Sequence, residues 1–180
     1  MPDKIALKTL DRRDCQYPTP KEVTLSTPAI IHIQDEDGLL LCSLQKHCDG
    51  SPAQLGAMLQ RFFRYGGAFV DGIDRSMARG FNGMWDAATQ LIAYLKLGGS
   101  FTGTVRVGDL YIFPPGYFMP DHFEANYVYD ISPIMRSAGD NTSIEGVRLV
   151  LHAIPIGAEP CHTVYAGPID AADMAALDRK

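Results

Sequence analysis

Two adjacent pairs, His47-Cys48 and Cys161-His162, hold the residue types of a zinc site. Two cysteines and two histidines are the ligand count of a closed tetrahedral centre. Neither pair shows the two-to-four-residue spacing of such centres, and neighbours on an extended chain point to opposite faces. A packed cysteine beside a surface histidine is therefore the favoured reading, and no metal or cofactor is expected. A second group, Asp49, Asp71, Asp74, Asp86 and His122, has acid–base character. In Asp-Gly pairs such as Asp49-Gly50 and Asp71-Gly72, however, the carboxylate generally bonds its own turn. Asp86 falls in the first turn of an expected helix, where the helix dipole favours a negative charge. A third group surrounds Gly80-Phe81-Asn82-Gly83. This glycine-bearing turn opens a helix just after Arg75 and Arg79, and could gather N–H groups and guanidinium groups around a phosphate. The chain contains neither G-x-G-x-x-G nor G-x-x-x-x-G-K-[ST], so the phosphate signal is weak. Asp49, Asp71, Arg75, Arg79 and Asn82 make up the candidate ligand-binding set. No G-x-S-x-G elbow occurs, and Cys15 lies in a polar stretch without an assignable base, so nucleophilic catalysis is not expected.

The aromatic residues suggest a different kind of function. Tyr111, Phe113, Tyr117, Phe118, Phe123, Tyr127 and Tyr129 crowd one acidic stretch, with Met119 among them. Aromatics with few lysines are the composition of interface cores. The segment Gly116-Tyr117-Phe118-Met119-Pro120 places large apolar groups between prolines, so Tyr117, Phe118, Met119 and Phe123 form the candidate partner-binding set. The alternative is that they cap the core beneath a long loop.

The elements that must position these groups are legible from spacing. Residues 1–28, with Pro18, Pro20 and Pro28 and no sustained period, read as an extended arm before a single domain over 29–180. Ala29 to Gln34 alternates as a strand, Asp35-Glu36-Asp37-Gly38 reads as a turn, and Leu39 to Leu44 reads as the return strand. Ser51 reads as an N-cap and Pro52 as the first residue of a helix. Leu55, Met58, Leu59, Phe62 and Phe63 give that helix one apolar stripe, which ends at Gly66-Gly67, with Gln60, Arg61 and Arg64 toward solvent. A second helix over Met84 to Leu97 carries Trp85, Ala88, Leu91, Ile92 and Leu95 and stops at Gly98-Gly99. Strands follow at Asp109–Phe113, Asn126–Ile131, Val147–Ile154 and, in short form, Thr163–Tyr165. Asp170 reads as the N-cap of a last helix over 171–177. The order ββααβββ(β)α predicts an α+β fold: an antiparallel sheet of about five strands with two main helices on one face. Cys42, on a strand, reads as core packing.

A hairpin, the Asp49-Gly50-Ser51-Pro52 turn, a helix and then Phe81-Asn82-Gly83-Met84 resemble a family of small uncharacterised proteins of tailed phages and prophages. Ala87-Ala88-Thr89-Gln90-Leu91-Ile92-Ala93, the Tyr111-to-Pro115 segment and Tyr127-Val128-Tyr129 continue the resemblance, which spans roughly residues 29 to 168. Cys48 and Ser51 stand where family members usually carry an aromatic and a tyrosine, so a site built on those aromatics is altered here. The resemblance implies a phage or prophage context and no assigned activity. Small phage proteins that bind and disable host machinery make an inhibitor of a host defence or host enzyme the implied kind of function.

Composition agrees with a binding role and excludes several classes. The chain has 180 residues, 46% of them apolar, and a net charge of −5. Residues 1–108 balance to +1 and residues 109–180 to −6, so the second half is acidic. Direct nucleic-acid binding, which depends on basic charge meeting phosphate, is not expected. No apolar run nears the roughly 18 residues of a membrane span. Met1-Pro2-Asp3-Lys4 leads into no apolar block, so no secretory leader is expected. Four irregularly spaced cysteines fit a reducing compartment, here the bacterial host cytosol. The expectation is a non-enzymatic cytoplasmic protein that binds a host or phage protein and admits a homodimer. The alternative is a small-ligand or nucleotide-binding domain built on the Asp-Gly and Asn-Gly turns.

Overall fold

The computed structural model describes residues 27–70, 80–102, 109–114, 125–138, 141–155 and 161–178. The fold is α+β, a six-stranded sheet with helices over one face. β1 (Ala29–Gln34) and β2 (Leu40–Lys46) form the expected hairpin. Asp35 closes it: its carboxylate accepts from the N–H groups of Asp37 and Leu39 at 3.0 and 2.8 Å, and Gly38 takes a left-handed φ of 78°. A π-type turn at Pro52–Gly56 leads into α1 (Ala57–Tyr65). β3 (Ala68–Phe69) and β4 (Gly80–Phe81) form a small parallel pair, and α2 (Gly83–Lys96) follows. The chain then adds β5 (Leu110–Phe113), β6 (Tyr127–Ala138), β7 (Asn141–Ala153) and β8 (His162–Pro168). A 3₁₀ turn at Ile169–Ala171 and the short α3 (Met174–Leu177) end the described fold.

The strand order is β5-β2-β1-β6-β7-β8, and the sheet is mixed rather than wholly antiparallel. β1 and β6 run parallel, with Ala29 beside Tyr127 and Ile33 beside Ile131. The reason is connectivity: the chain between them carries both main helices, long enough for the crossover a parallel pair requires. β6 and β7 also run further than their apolar cores predict, pairing out to Ala138 and Asn141 through a bulge at Ile134/Met135. β6 has β1 beside it only as far as Ile131. Pro133 therefore lies where β6 has a free side, the position in a sheet where a missing N–H is tolerated.

Alternation sends Ala29, Ile31, Ile33, Leu44, Tyr129, Ile131, Leu149 and Leu151 into the core, where they meet Leu55, Leu59 and Phe62 of the first helical segment and Leu91 and Leu95 of α2. Phe62 is the hub of an aromatic cluster, with ring centroids 5.1 Å from Phe81 and 5.3 Å from Tyr94. The α2 stripe is Met84, Ala87, Ala88, Leu91, Tyr94 and Leu95, one residue out of step with a stripe through Trp85. Trp85 points outward.

Three local expectations change. Ser51 has the extended backbone of an N-cap, but its side chain makes no cap bond; its carbonyl instead accepts from the N–H groups of Gln54, Leu55 and Gly56. Asp173 rather than Asp170 caps the last helix, accepting from Ala176 N at 3.1 Å. Gln60 is not merely solvent-facing, since its amide donates to the carbonyls of Ile169 and Ala172, both at 2.9 Å, and ties the C-terminal segment to α1.

The Asp49-Gly50 turn has a structural task. Asp49 is left-handed at φ 58°, and Gly50 donates its N–H to the Thr27 carbonyl at 2.7 Å. A Cβ on Gly50 would lie 2.5 Å from that carbonyl and 2.6 Å from the Ala29 Cβ, so no larger residue fits. The Gly50 carbonyl accepts from the buried Tyr129 hydroxyl at 2.8 Å. Tyr129→Phe keeps the ring and strips the donor, leaving that carbonyl unpaired. The expected loss is about 1–3 kcal/mol of unfolding free energy in urea denaturation.

A second polar contact crosses the sheet edge. Lys46, almost fully buried, pairs through Nζ with Asp109 Oδ2, whereas Asp109 Oδ1 is buried without a partner. Lys46→Met should cost about 3–5 kcal/mol by leaving a carboxylate uncompensated, and Lys46→Met with Asp109→Leu should recover most of it. Denaturant midpoints of the two variants test this.

Candidate functional site

The face of the sheet away from the helices carries a row of polar contacts. Because Ile31 and Ile33 point inward, Ile30, His32 and Gln34 must point outward. The same alternation turns Val128 and Asp130 of β6, and Val150 and His152 of β7, to this face. His32 and Asp130 are direct neighbours in the parallel register. His32 Nδ1 lies 3.1 Å from Asp130 Oδ1, and His152 Nε2 lies 3.1 Å from Asp130 Oδ2. Thr163 of β8 continues the row, its Oγ1 3.1 Å from His152 Nδ1. Four strands thus contribute one connected chain, His32–Asp130–His152–Thr163.

Burial pushes the Asp130 carboxyl up, but the hydrogen bond and positive charge of His32, with those of His152, outweigh it and hold the group below the usual carboxylate range. The Tyr129 hydroxyl on the opposite face is pushed far up by burial, with Tyr127 and Asp178 adding to the effect, so it is a neutral donor.

The residues singled out in the sequence are not brought together in this way. Asp71, Arg75 and Arg79 lie outside the described residues, as do Asp74, His122, Tyr117, Phe118, Met119 and Phe123. Asp49 belongs to the turn packed on the start of β1. Asn82 belongs to the α2 entry, packed on Glu36 just beyond its end. Six strand residues, about 17 Å, separate those two places. Asn82 and Gly83 line a cavity of about 220 Å³ with Glu36, Phe69, Thr142 and Ser143. Two donors of the α2 entry are already engaged, Met84 N with Glu36 Oε1 at 2.8 Å and Asn82 N with Asp86 Oδ2 at 2.9 Å. A phosphate there would have to displace two carboxylates.

The Cys/His pairs are also apart. The register runs Lys46, Ala29, Tyr127, Ala153, His162 across the sheet, so His47-Cys48 and Cys161-His162 lie near opposite edges. Four strand-to-strand steps amount to about 19 Å. Among the described residues, no three His, Cys, Asp or Glu side chains are grouped to hold a metal ion. No helix among them is long and apolar enough to cross a membrane.

The remaining feature is exposed apolar surface: Trp85 at 66%, Leu39 at 64% and Tyr65 at 61%, with Tyr111 and Ile112 on the edge strand β5. On α2, Trp85, Thr89 and Ala93 are exposed at four-residue spacing, opposite the core stripe. No family model, curated protein or solved structure matches this chain, so its function must be argued from these features.

The Asp130 shift has a pH consequence. A carboxyl held below its unfolded value stabilises the fold at pH above about 4, and that contribution disappears as pH falls through the lower folded value. Asp130→Asn should therefore be less stable than the parent at pH 7, with the gap in urea midpoint closing toward pH 3.

Proposed function

We propose that this chain acts by binding another protein, in the phage or prophage setting that its resemblance implies. An inhibitor of a host defence or host enzyme is the concrete form. The observation that carries the reading is the two-thirds exposure of Trp85, the only tryptophan in the chain, on the outward face of α2. Tryptophan is the residue most enriched at the energetic centres of interfaces, and the small residues Thr89 and Ala93 beside it allow close approach of a partner. The net charge of −5 favours a partner with a basic surface, whose approach it would steer.

The small-ligand alternative has less support. The cavity at the α2 entry falls below the roughly 300–1,000 Å³ of usual ligand pockets, and carboxylates occupy two of its backbone donors. A second copy of the chain is the other candidate for covering Trp85.

Affinity capture from bacterial host lysate tests the proposal, with Trp85→Ala and a Tyr117→Ala/Phe118→Ala variant alongside the parent. Trp85→Ala should leave unfolding free energy within about 0.5 kcal/mol of the parent. It should weaken the captured partner's binding by about 2 kcal/mol, roughly 30-fold. A partner held equally by both variants would overturn the reading. A parent dimer that Trp85→Ala dissociates in sedimentation would assign the surface to self-association instead.

A further inference from the structure

We infer that the open face of the sheet is an acid–base site whose working atom is His32 Nε2, and that it takes a phosphate-type oxyanion. This is independent of the α2 surface and concerns the other side of the molecule.

The argument is an inventory of protons. An ionised carboxylate only accepts, so Asp130 requires a proton on His32 Nδ1 and one on His152 Nε2. In neutral His152 that leaves Nδ1 as an acceptor, which the Thr163 hydroxyl satisfies. Among the described residues, every polar atom in the row then has a partner except His32 Nε2. It is left as a lone-pair acceptor on a side chain 35% exposed, in a tautomer that Asp130 fixes. The same carboxylate stabilises the imidazolium that forms when Nε2 takes a proton.

The surroundings favour an oxyanion over other ligands. Ser43 lies directly opposite His32 on β2, Gln45 sits diagonally across from it, and Gln34 follows two residues along β1, so the register turns neutral polar side chains to this part of the face. On the described part of this face, Asp130 is the only carboxylate that the register places there; His152, the exposed Arg148 and, across from Gln45, Tyr111 are its other titratable or charged groups near the row. A phosphate monoester monoanion carries an acidic O–H, the kind of donor that an imidazole lone pair accepts from. In the bound pair the ligand O–H breaks, the Nε2–H bond forms, and the dianion faces an imidazolium backed by Asp130. No other reactant enters. The low-lying Asp130 carboxyl agrees with this arrangement.

Nitrogen-edited NMR of the histidine rings in the full chain tests this, with inorganic phosphate as the probe. In the free protein the neutral form of His32 should carry its proton on Nδ1, and phosphate should move its Nε2 toward the protonated shift while His152 changes less. Asp130→Asn should weaken phosphate binding roughly tenfold, the effect of losing a group that orients an imidazole. His32→Gln should abolish binding, with an otherwise dispersed spectrum showing that the fold is kept. A free-state His32 carrying its proton on Nε2 would overturn the inference. So would His32 resonances indifferent to phosphate, or phosphorus line broadening that persists in His32→Gln.

Discussion

The hydroxyl of Tyr129 lies in a layer from which sheet and helices have excluded water, and it must find an acceptor there. The acceptor it finds is the carbonyl of Gly50. That single bond joins the central strand β6 to the point where the chain leaves the hairpin for α1. Gly50 in turn sits against Thr27 and Ala29 closely enough that only hydrogen fits at its Cα. A Cβ on Gly56, six residues on, would meet Met174 Sδ at 2.8 Å and the Tyr129 ring at 3.6 Å. Two glycines and one phenol therefore set the distance between helix and sheet, and α3 is held by the same contact. Unpaired, the hydroxyl and the carbonyl would each carry a desolvation penalty, so the alternatives to this geometry are expensive.

Much of this was legible in the sequence, for identifiable reasons. The hairpin at 29–46 follows from alternation on both sides of an Asp-rich turn, and α1 and α2 follow from apolar residues at helical spacing between glycine stops. The Asp49-Gly50 turn was recognisable as a turn. What it packs against was not, since Thr27, Ala29 and Tyr129 approach it only in the fold. Strand polarity leaves no trace in a period-2 pattern, so the parallel pairing of β1 with β6 could not be read. The outer halves of β6 and β7 carry polar residues and Pro133, which look like loop when the pairing partner is unknown. Trp85 follows a helical spacing with Ala88 and Leu95 as well as Met84 does, and only the three-dimensional contacts decide between the two stripes.

The His32–Asp130–His152 row was hidden for the same reason. His32 and Asp130 each occupy an outward position between two buried apolar neighbours, and His152 follows the buried Leu151, which taken alone is the ordinary pattern of a half-exposed strand. Their meeting depends on the order β1-β6-β7, and so on the crossover that carries both helices. The apolar residues of each strand fix which way the polar ones face, and the sheet order fixes which polar ones meet. The helix-covered face is thus what allows the open face to hold a defined tautomer.

Beyond Ile131 the β6–β7 pair leaves its neighbour β1 behind, and past the Arg148–Pro168 pairing with β8 it continues as a two-stranded ribbon. Its residues from Met135 to Ala138 are exposed, whereas Ile144 still packs against the core at its base. Arg136, Ser137 and Ala138 of this ribbon are exposed and belong to no buried layer, so substitutions there leave the core untouched. Met135, Thr142, Ser143 and Ile144 nevertheless form one wall of the cavity at the α2 entry. The shape of that recess can therefore drift among descendants of this sequence at little risk to folding, which makes the ribbon the part of the molecule most open to evolutionary retuning.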